Sequence, residues 1–169
     1  MLCLQMAYTQ VNDPQQAHYA DADNPASVAA GQGVYRSQCA RCHGRNLQGQ
    51  ALWQLDDAHR HQRAPAHDAS GHTWQHSDED LYAMVRDGHF PGVARDPTST
   101  MPAYAHVLSD EAMRDVLAFI KSRWGIGLRA TQSTLNPAGR GMPAGAELTD
   151  WTLPPTCSST QQTWRMQPR

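Results

Sequence analysis

The chain has 169 residues, a formal net charge of −2 and an aromatic content of only 7%. This length fits one domain of ordinary size with extensions. The near-neutral charge gives no bulk electrostatic basis for binding nucleic acid or an anionic membrane. Basic residues are almost all arginine, with Lys121 as the single lysine, and we interpret this as a composition bias without functional meaning.

The N-terminal residues 1–24 are predicted to form an irregular arm, because they are polar and show no sustained period. Met1–Ala7 carry no basic region and too short an apolar run, so no signal peptide is visible. No stretch of the sequence approaches the roughly 20 apolar residues that cross a bilayer. We therefore expect no transmembrane segment in this chain.

The first helix is predicted to begin at Asn24-Pro25, since asparagine caps helices and proline suits the first helical position. We expect it to run from Pro25 to about Ala40. Three residues at helical spacing share one face of it: Val28, Gly31 and Tyr35.

The end of this helix carries Cys39-Ala40-Arg41-Cys42-His43, a C-x-x-C-H pattern. Two thiols at this spacing reach the two vinyl groups on one porphyrin edge, and the next histidine becomes the proximal iron ligand. The motif occurs once and predicts one covalent haem c. A zinc site would need a second ligand pair, but Cys3 and Cys157 stand alone, and the βαβ pattern of a thioredoxin-like protein is absent.

The region 44–76 is predicted to be an irregular loop around the haem edge. It contains five histidines, namely His59, His61, His67, His72 and His76. A metal-binding tract is the alternative, although no pair sits on a recognisable helical site. Within this loop, the Pro65 carbonyl is our candidate acceptor for the second ring nitrogen of His43.

Two further helices follow. Ser77 and the acidic residues after it predict a helix that ends at Gly88, and Ser109 caps a second one that ends at Gly125. The second helix has the strongest apolar stripe, formed by Met113, Val116, Leu117, Ile120 and Trp124. We place the domain at residues 25–126 and an irregular C-terminal extension at 127–169, with Trp151 and Trp164 as its anchors.

Met101 is the predicted sixth ligand of the iron. It lies in a loop before the C-terminal helix, where Pro102 can fix the backbone. Met84 and Met113 fall in amphipathic helices and are interpreted as core, and Met142 lies in the tail. A histidine ligand, His89 or His106, is the alternative and would lower the reduction potential.

These residues together resemble the class I c-type cytochromes over about residues 25–125. The resemblance rests on Gly31, Tyr35 and the C-x-x-C-H motif, on Asp115–Lys121, and on Gly71-His72-Thr73-Trp74. It implies a mainly α cytochrome c fold, with three to five helices wrapped around one haem. It also implies that Gly31 and Tyr35 pack against Val116 and Phe119.

The same resemblance implies roles in the haem pocket for Tyr35 and Trp74, whose indole N–H would bond a haem propionate. The stretch from Pro65 to Trp74 is similar to that of bacterial monohaem proteins that often accompany respiratory or copper-related oxidases. If the first and last helices cross as in this family, Cys3 and Cys157 can form a disulfide. An intermolecular bridge or a lipid on Cys3 are the alternatives.

Three functional hypotheses follow. The first is one-electron transfer with His43 and Met101 as ligands, either as a carrier or as the cytochrome subunit of a membrane-bound respiratory or oxidase complex. The second is a haem enzyme of the thiosulfate dehydrogenase or peroxidase type, and the third is a gas-binding haem module. Both alternatives need an open or differently ligated iron. Since thioethers to haem form outside the energy-transducing membrane, we expect a periplasmic protein.

Overall fold

The structure is a computed structural model that describes residues 19–55, 63–143 and 145–146. These residues are mainly helical and contain no β-strand, as predicted. The α-helices are α1 (Pro25–Val34), α2 (Ala40–His43), α3 (Asp78–Asp87), α4 (Asp110–Ser122) and α5 (Ile126–Ser133). A π-helical turn, Tyr35–Cys39, joins α1 to α2, and short 3₁₀ turns cover Thr73–Gln75 and Pro137–Gly139.

The predicted helix starts are confirmed by side-chain caps. The caps accept hydrogen bonds from nearby backbone N–H groups: Asn24 from Ala26 and Ser27 at 3.0 and 3.3 Å, Ser77 from Asp80 at 3.1 Å, and Ser109 from Ala112 at 3.1 Å. Each cap satisfies donors that the first turn of a helix leaves unpaired. These starts depend on local sequence alone, which is why they could be predicted.

Two helix ends differ from the prediction. The first helical segment continues past Ala40 to His43 and contains the π-helical turn. Gly125 does not end α4, which stops at Ser122, and instead precedes α5 with an extended backbone (φ −63°, ψ 159°). Gly88 does end α3, in the left-handed conformation expected of such a glycine.

α1 and α4 pack directly against each other at Gly31. A methyl group at this position would overlap the Asp115 carbonyl of α4, so only glycine permits the contact. One turn further along both helices, the ring centroids of Tyr35 and Phe119 lie 5.3 Å apart. The helix pair that the resemblance implies is therefore present.

A buried ion pair joins α4 to the start of α3 and to both ends of the described chain. Lys121 Nζ lies 2.7 Å from both carboxylate oxygens of Asp78. The same carboxylate accepts bonds from the Ala20 N–H at 3.2 Å and the Gln132 side chain at 2.7 Å, while Asn136 accepts from the Asp78 N–H at 2.8 Å. Packing thus extends beyond residues 24 and 126, and the division into arm, domain and extension stays a prediction.

Several predicted features lie outside the described residues: Cys3, Cys157, His59, His61, Trp151 and Trp164. Within the described part, the extension contains the eight-residue helix α5, which the proline- and glycine-rich composition did not predict. None of the helices described is both long and apolar enough to cross a membrane.

Candidate haem site

The C-x-x-C-H motif lines a cavity of about 850 Å³. Such a volume lies within the range of sites that hold large organic ligands, roughly 300–1,000 Å³. Its apolar wall comes from α3 and α4, through Leu81, Val85, Val116, Leu117 and Ile120. The cavity is thus an apolar cradle with two thiols and an imidazole in its wall.

Helical spacing explains why Cys39, Cys42 and His43 face one cavity. Side chains three and four positions apart share one face of a helix, and α2 begins directly after Cys39. The preceding π-helical turn, closed by a bond from the Ala40 N–H to the Tyr35 carbonyl, sets the direction in which α2 leaves α1. Such wide turns occur frequently at functional sites.

The environment of the first motif cysteine disfavours its thiolate form. The two motif cysteines form no disulfide, and both are half-buried. Burial, and next the neighbouring Cys42, raises the pKa of the Cys39 thiol to about 11. A redox-active C-x-x-C lowers the pKa of its nucleophilic thiol, so this environment argues against that alternative.

His43 is oriented by a hydrogen bond on one of its two ring nitrogens. Its Nδ1 lies 2.9 Å from the Pro65 carbonyl, the acceptor predicted from the sequence. Because a carbonyl can only accept, Nδ1 carries the proton and Nε2 keeps its lone pair. Burial lowers the pKa of His43, and the hydrogen bond to the Pro65 carbonyl opposes this shift only in part, so the neutral form of the imidazole is favoured.

The predicted sixth ligand, Met101, also lies in the wall of this cavity. Met84 and the alternative ligand His89 line it as well, whereas His106 is exposed and lies outside it. Met113 is a core residue, only 1% exposed. The structure therefore brings His43 and Met101 to one cavity and leaves two neighbouring donors to be tested.

Tyr35 and Trp74 lie behind the cavity wall. The Tyr35 hydroxyl is 3.3 Å from the His43 carbonyl and 3.0 Å from that of Gly44, so it supports the motif backbone. The structure gives Trp74 a different partner from the one the resemblance implies, because its indole N–H donates to the Gly71 carbonyl at 3.0 Å. Direct contact of either side chain with haem stays a prediction.

The loop histidines His67, His72 and His76 line the same cavity, in keeping with a loop around the haem edge. Burial lowers the pKa of each. No cluster of three or more metal-binding side chains is found within the described ranges. Of these residues, His67 was missed as a partner of the motif, since nothing in the sequence distinguishes it from the other histidines of the loop.

Comparison with known proteins settles the family. Residues 26–120, more than half of the chain, match the family described as cytochrome c oxidase, cbb3-type, subunit III. The chain belongs to this family. It is a class I c-type cytochrome, its cofactor is haem c with iron, and it performs haem-based electron transfer.

One curated relative adds a second finding. Over 135 residues the cytochrome is 30% identical to the gluconate 2-dehydrogenase cytochrome c subunit of Pantoea cypripedii, a match that covers 75% of this chain. The match spans only 26% of that relative's length. No solved structure matches the chain.

Proposed function

We propose that this cytochrome transfers one electron at a time through a single haem c ligated by His43 and Met101. We further propose that it acts as the cytochrome subunit of a larger oxidoreductase complex in the bacterial periplasm. When bound, the haem supplies a one-electron change at iron, while the protein supplies ligands, orientation and an apolar surrounding.

The presence of His43 and Met101 in one cavity wall is the observation that carries this proposal. A thioether ligand raises the reduction potential of a haem and occupies the position that a small molecule would need. Such a site favours electron transfer over chemistry on a bound substrate. The imidazole of His43, held by the Pro65 carbonyl, would supply the other iron ligand.

The Met101 segment is held against neighbouring elements. Gly88, with φ 76°, lies so close that a methyl group on it would come within 2.9 Å of the Met101 carbonyl. Three residues after Met101, the Tyr104 hydroxyl donates to the Gln38 carbonyl at 3.0 Å, directly before the motif. This bond ties the loop of the sixth ligand to the helix of the thioether cysteines.

Membership of a complex is supported by the relative, whose name describes a cytochrome c subunit of a dehydrogenase. It is also supported by the length of chain on either side of the haem domain, since terminal extensions often dock neighbours. A periplasmic location is supported by the C-x-x-C-H motif, because haem thioethers form on that side of the membrane.

Replacing Met101 with leucine tests the ligand assignment, with Met84→Leu as a matched control in the same cavity wall. We expect the near-infrared band of methionine-ligated ferric haem in the unaltered protein and in Met84→Leu. In Met101→Leu we expect the band to disappear and the reduced protein to bind carbon monoxide. We also expect the reduction potential to decrease, by less than the ~0.8 V range that axial ligands span. Loss of the band in Met84→Leu alone would assign the ligand to Met84.

Recovery of a partner from membranes tests the complex. The full chain is compared with a version ending at Ala146, which keeps the Gln132 and Asn136 contacts to Asp78. We expect the full chain to retain a membrane oxidoreductase that the shorter version loses, with identical haem spectra. If both versions recovered the same partner equally, a docking role for the extension would be refuted. If neither version recovered a partner, membership of a complex would be refuted.

A further inference from the structure

His67 stacks on the imidazole that we assign as the proximal iron ligand. The ring centroids of His43 and His67 lie 4.0 Å apart, with 24° between the planes. Stacking at this distance is a direct face-to-face contact of two aromatic rings. The inference below rests on the proposed function, because it takes His43 as an iron ligand.

His67 is itself fixed from three directions. Its backbone N–H donates to the Leu47 carbonyl at 2.7 Å, and its carbonyl accepts the Trp124 indole N–H at 2.8 Å. Its Nδ1 lies 2.9 Å from Thr73 Oγ1, and that hydroxyl is also 3.4 Å from the Ala66 carbonyl. Because the hydroxyl can donate to Ala66, it can accept from Nδ1–H of His67.

The two contacts of His43 restrain different motions of its ring. The hydrogen bond to Pro65 fixes the direction of the Nδ1–H vector. Small coupled changes of the χ1 and χ2 angles can still tilt the ring while this bond is kept, so the bond alone does not define the ring plane. A flat, immobile neighbour at 4.0 Å does restrain this motion, because tilting either ring closes the gap between the faces.

We propose that His67 is a positioning residue, which sets the plane of the His43 imidazole and thereby the orientation of the axial ligand over the haem. The orientation of an axial histidine plane governs how unpaired spin spreads over a ferric porphyrin. A change in the role of His67 should therefore alter the spin distribution over the haem, which a loss of folding stability by itself would not alter. Contacts that orient a metal-binding side chain tune the metal site.

Two substitutions separate the ring from the hydrogen bond. His67→Phe keeps a flat ring and loses the bond to Thr73, whereas His67→Gln keeps a polar group and loses the ring. His106→Gln is the control, since His106 is exposed and lies outside the cavity. The readout is the pattern of haem methyl shifts in NMR spectra of the oxidised full chain, together with its reduction potential.

We expect His67→Gln to redistribute the haem methyl shifts, and His67→Phe and His106→Gln to retain the original pattern. If His67→Gln yields no folded protein, His67→Leu replaces it, because this change also removes the flat ring and should redistribute the shifts. The proposal is overturned if the pattern stays the same in His67→Gln or in the His67→Leu variant that replaces it, or if His67→Phe moves it as far as the variant without a ring. A ferric spectrum without low-spin haem in the unaltered protein would instead refute the proposed function.

Discussion

Gly31→Ala is expected to destabilise the cytochrome by about 3 kcal/mol, the upper part of the usual range for overpacking. The added methyl group would overlap the Asp115 carbonyl, which is backbone and cannot turn aside as a side chain can. α1 and α4 must therefore move apart, and α1 is the helix that leads to the haem-attachment motif. Urea unfolding of the holoprotein, followed by far-UV circular dichroism, measures the change.

Gly33→Ala is the matched control. It lies in the same helix, and a methyl group there meets nothing within 4 Å. Since alanine favours the helix over glycine, we expect a gain of roughly 0.5–1 kcal/mol. If both substitutions changed the free energy of unfolding equally, the close contact between α1 and α4 would be refuted.

Lys121→Met is expected to cost about 3–5 kcal/mol, because it leaves the Asp78 carboxylate buried without its counter-charge. The side chains of Lys121 and Asp78 are only 2% and 5% exposed. Burial lowers the pKa of Lys121, and the Asp78 carboxylate opposes that shift, so Lys121 depends on this carboxylate to stay charged. Thermal and urea unfolding of the holoprotein measure the loss.

The double variant Asp78→Asn, Lys121→Met should lose much less than the sum of the single variants, since neither charge then remains unpaired. Arg86→Ala serves as the control for an exposed ion pair, because Arg86 and Asp87 have 46% and 34% exposed side chains. We expect this change to cost less than about 1 kcal/mol. If Lys121→Met cost as little as Arg86→Ala, the buried pair of Lys121 and Asp78 would not stabilise the fold more than an exposed pair does.

Local signals explain the parts of the fold that the sequence predicted well. The caps at Asn24, Ser77 and Ser109 act within three residues, and the motif at Cys39–His43 fixes its own chemistry by spacing. The Pro65 acceptor of His43 and the Gly31 contact could be anticipated because each lies at a fixed position in a familiar pattern. The caps and the motif depend on short stretches of chain, whereas the other two contacts join distant residues and follow from the family resemblance.

Features that depend on distant residues and lie outside the family resemblance were not predicted. Lys121 was interpreted as a composition bias, but it pairs with Asp78, 43 positions earlier. Gln132 of α5 is buried because its side chain donates to the same Asp78 carboxylate. No local sequence pattern indicates this contact. His67 resembles its neighbouring histidines in the sequence, and its stacking on His43 becomes visible only in the structure.

A redox titration of the intact chain, followed by visible absorption, tests the central claim most directly. We expect the haem bands to change in a single reversible transition with a one-electron slope. That slope is about 59 mV per tenfold change in the ratio of oxidised to reduced protein at 25 °C. A redox-active dithiol at Cys39 and Cys42 would instead titrate with two electrons, at about 30 mV, and without haem bands. Absence of haem absorption, or a two-electron slope, would contradict the assignment of this protein as a one-electron cytochrome.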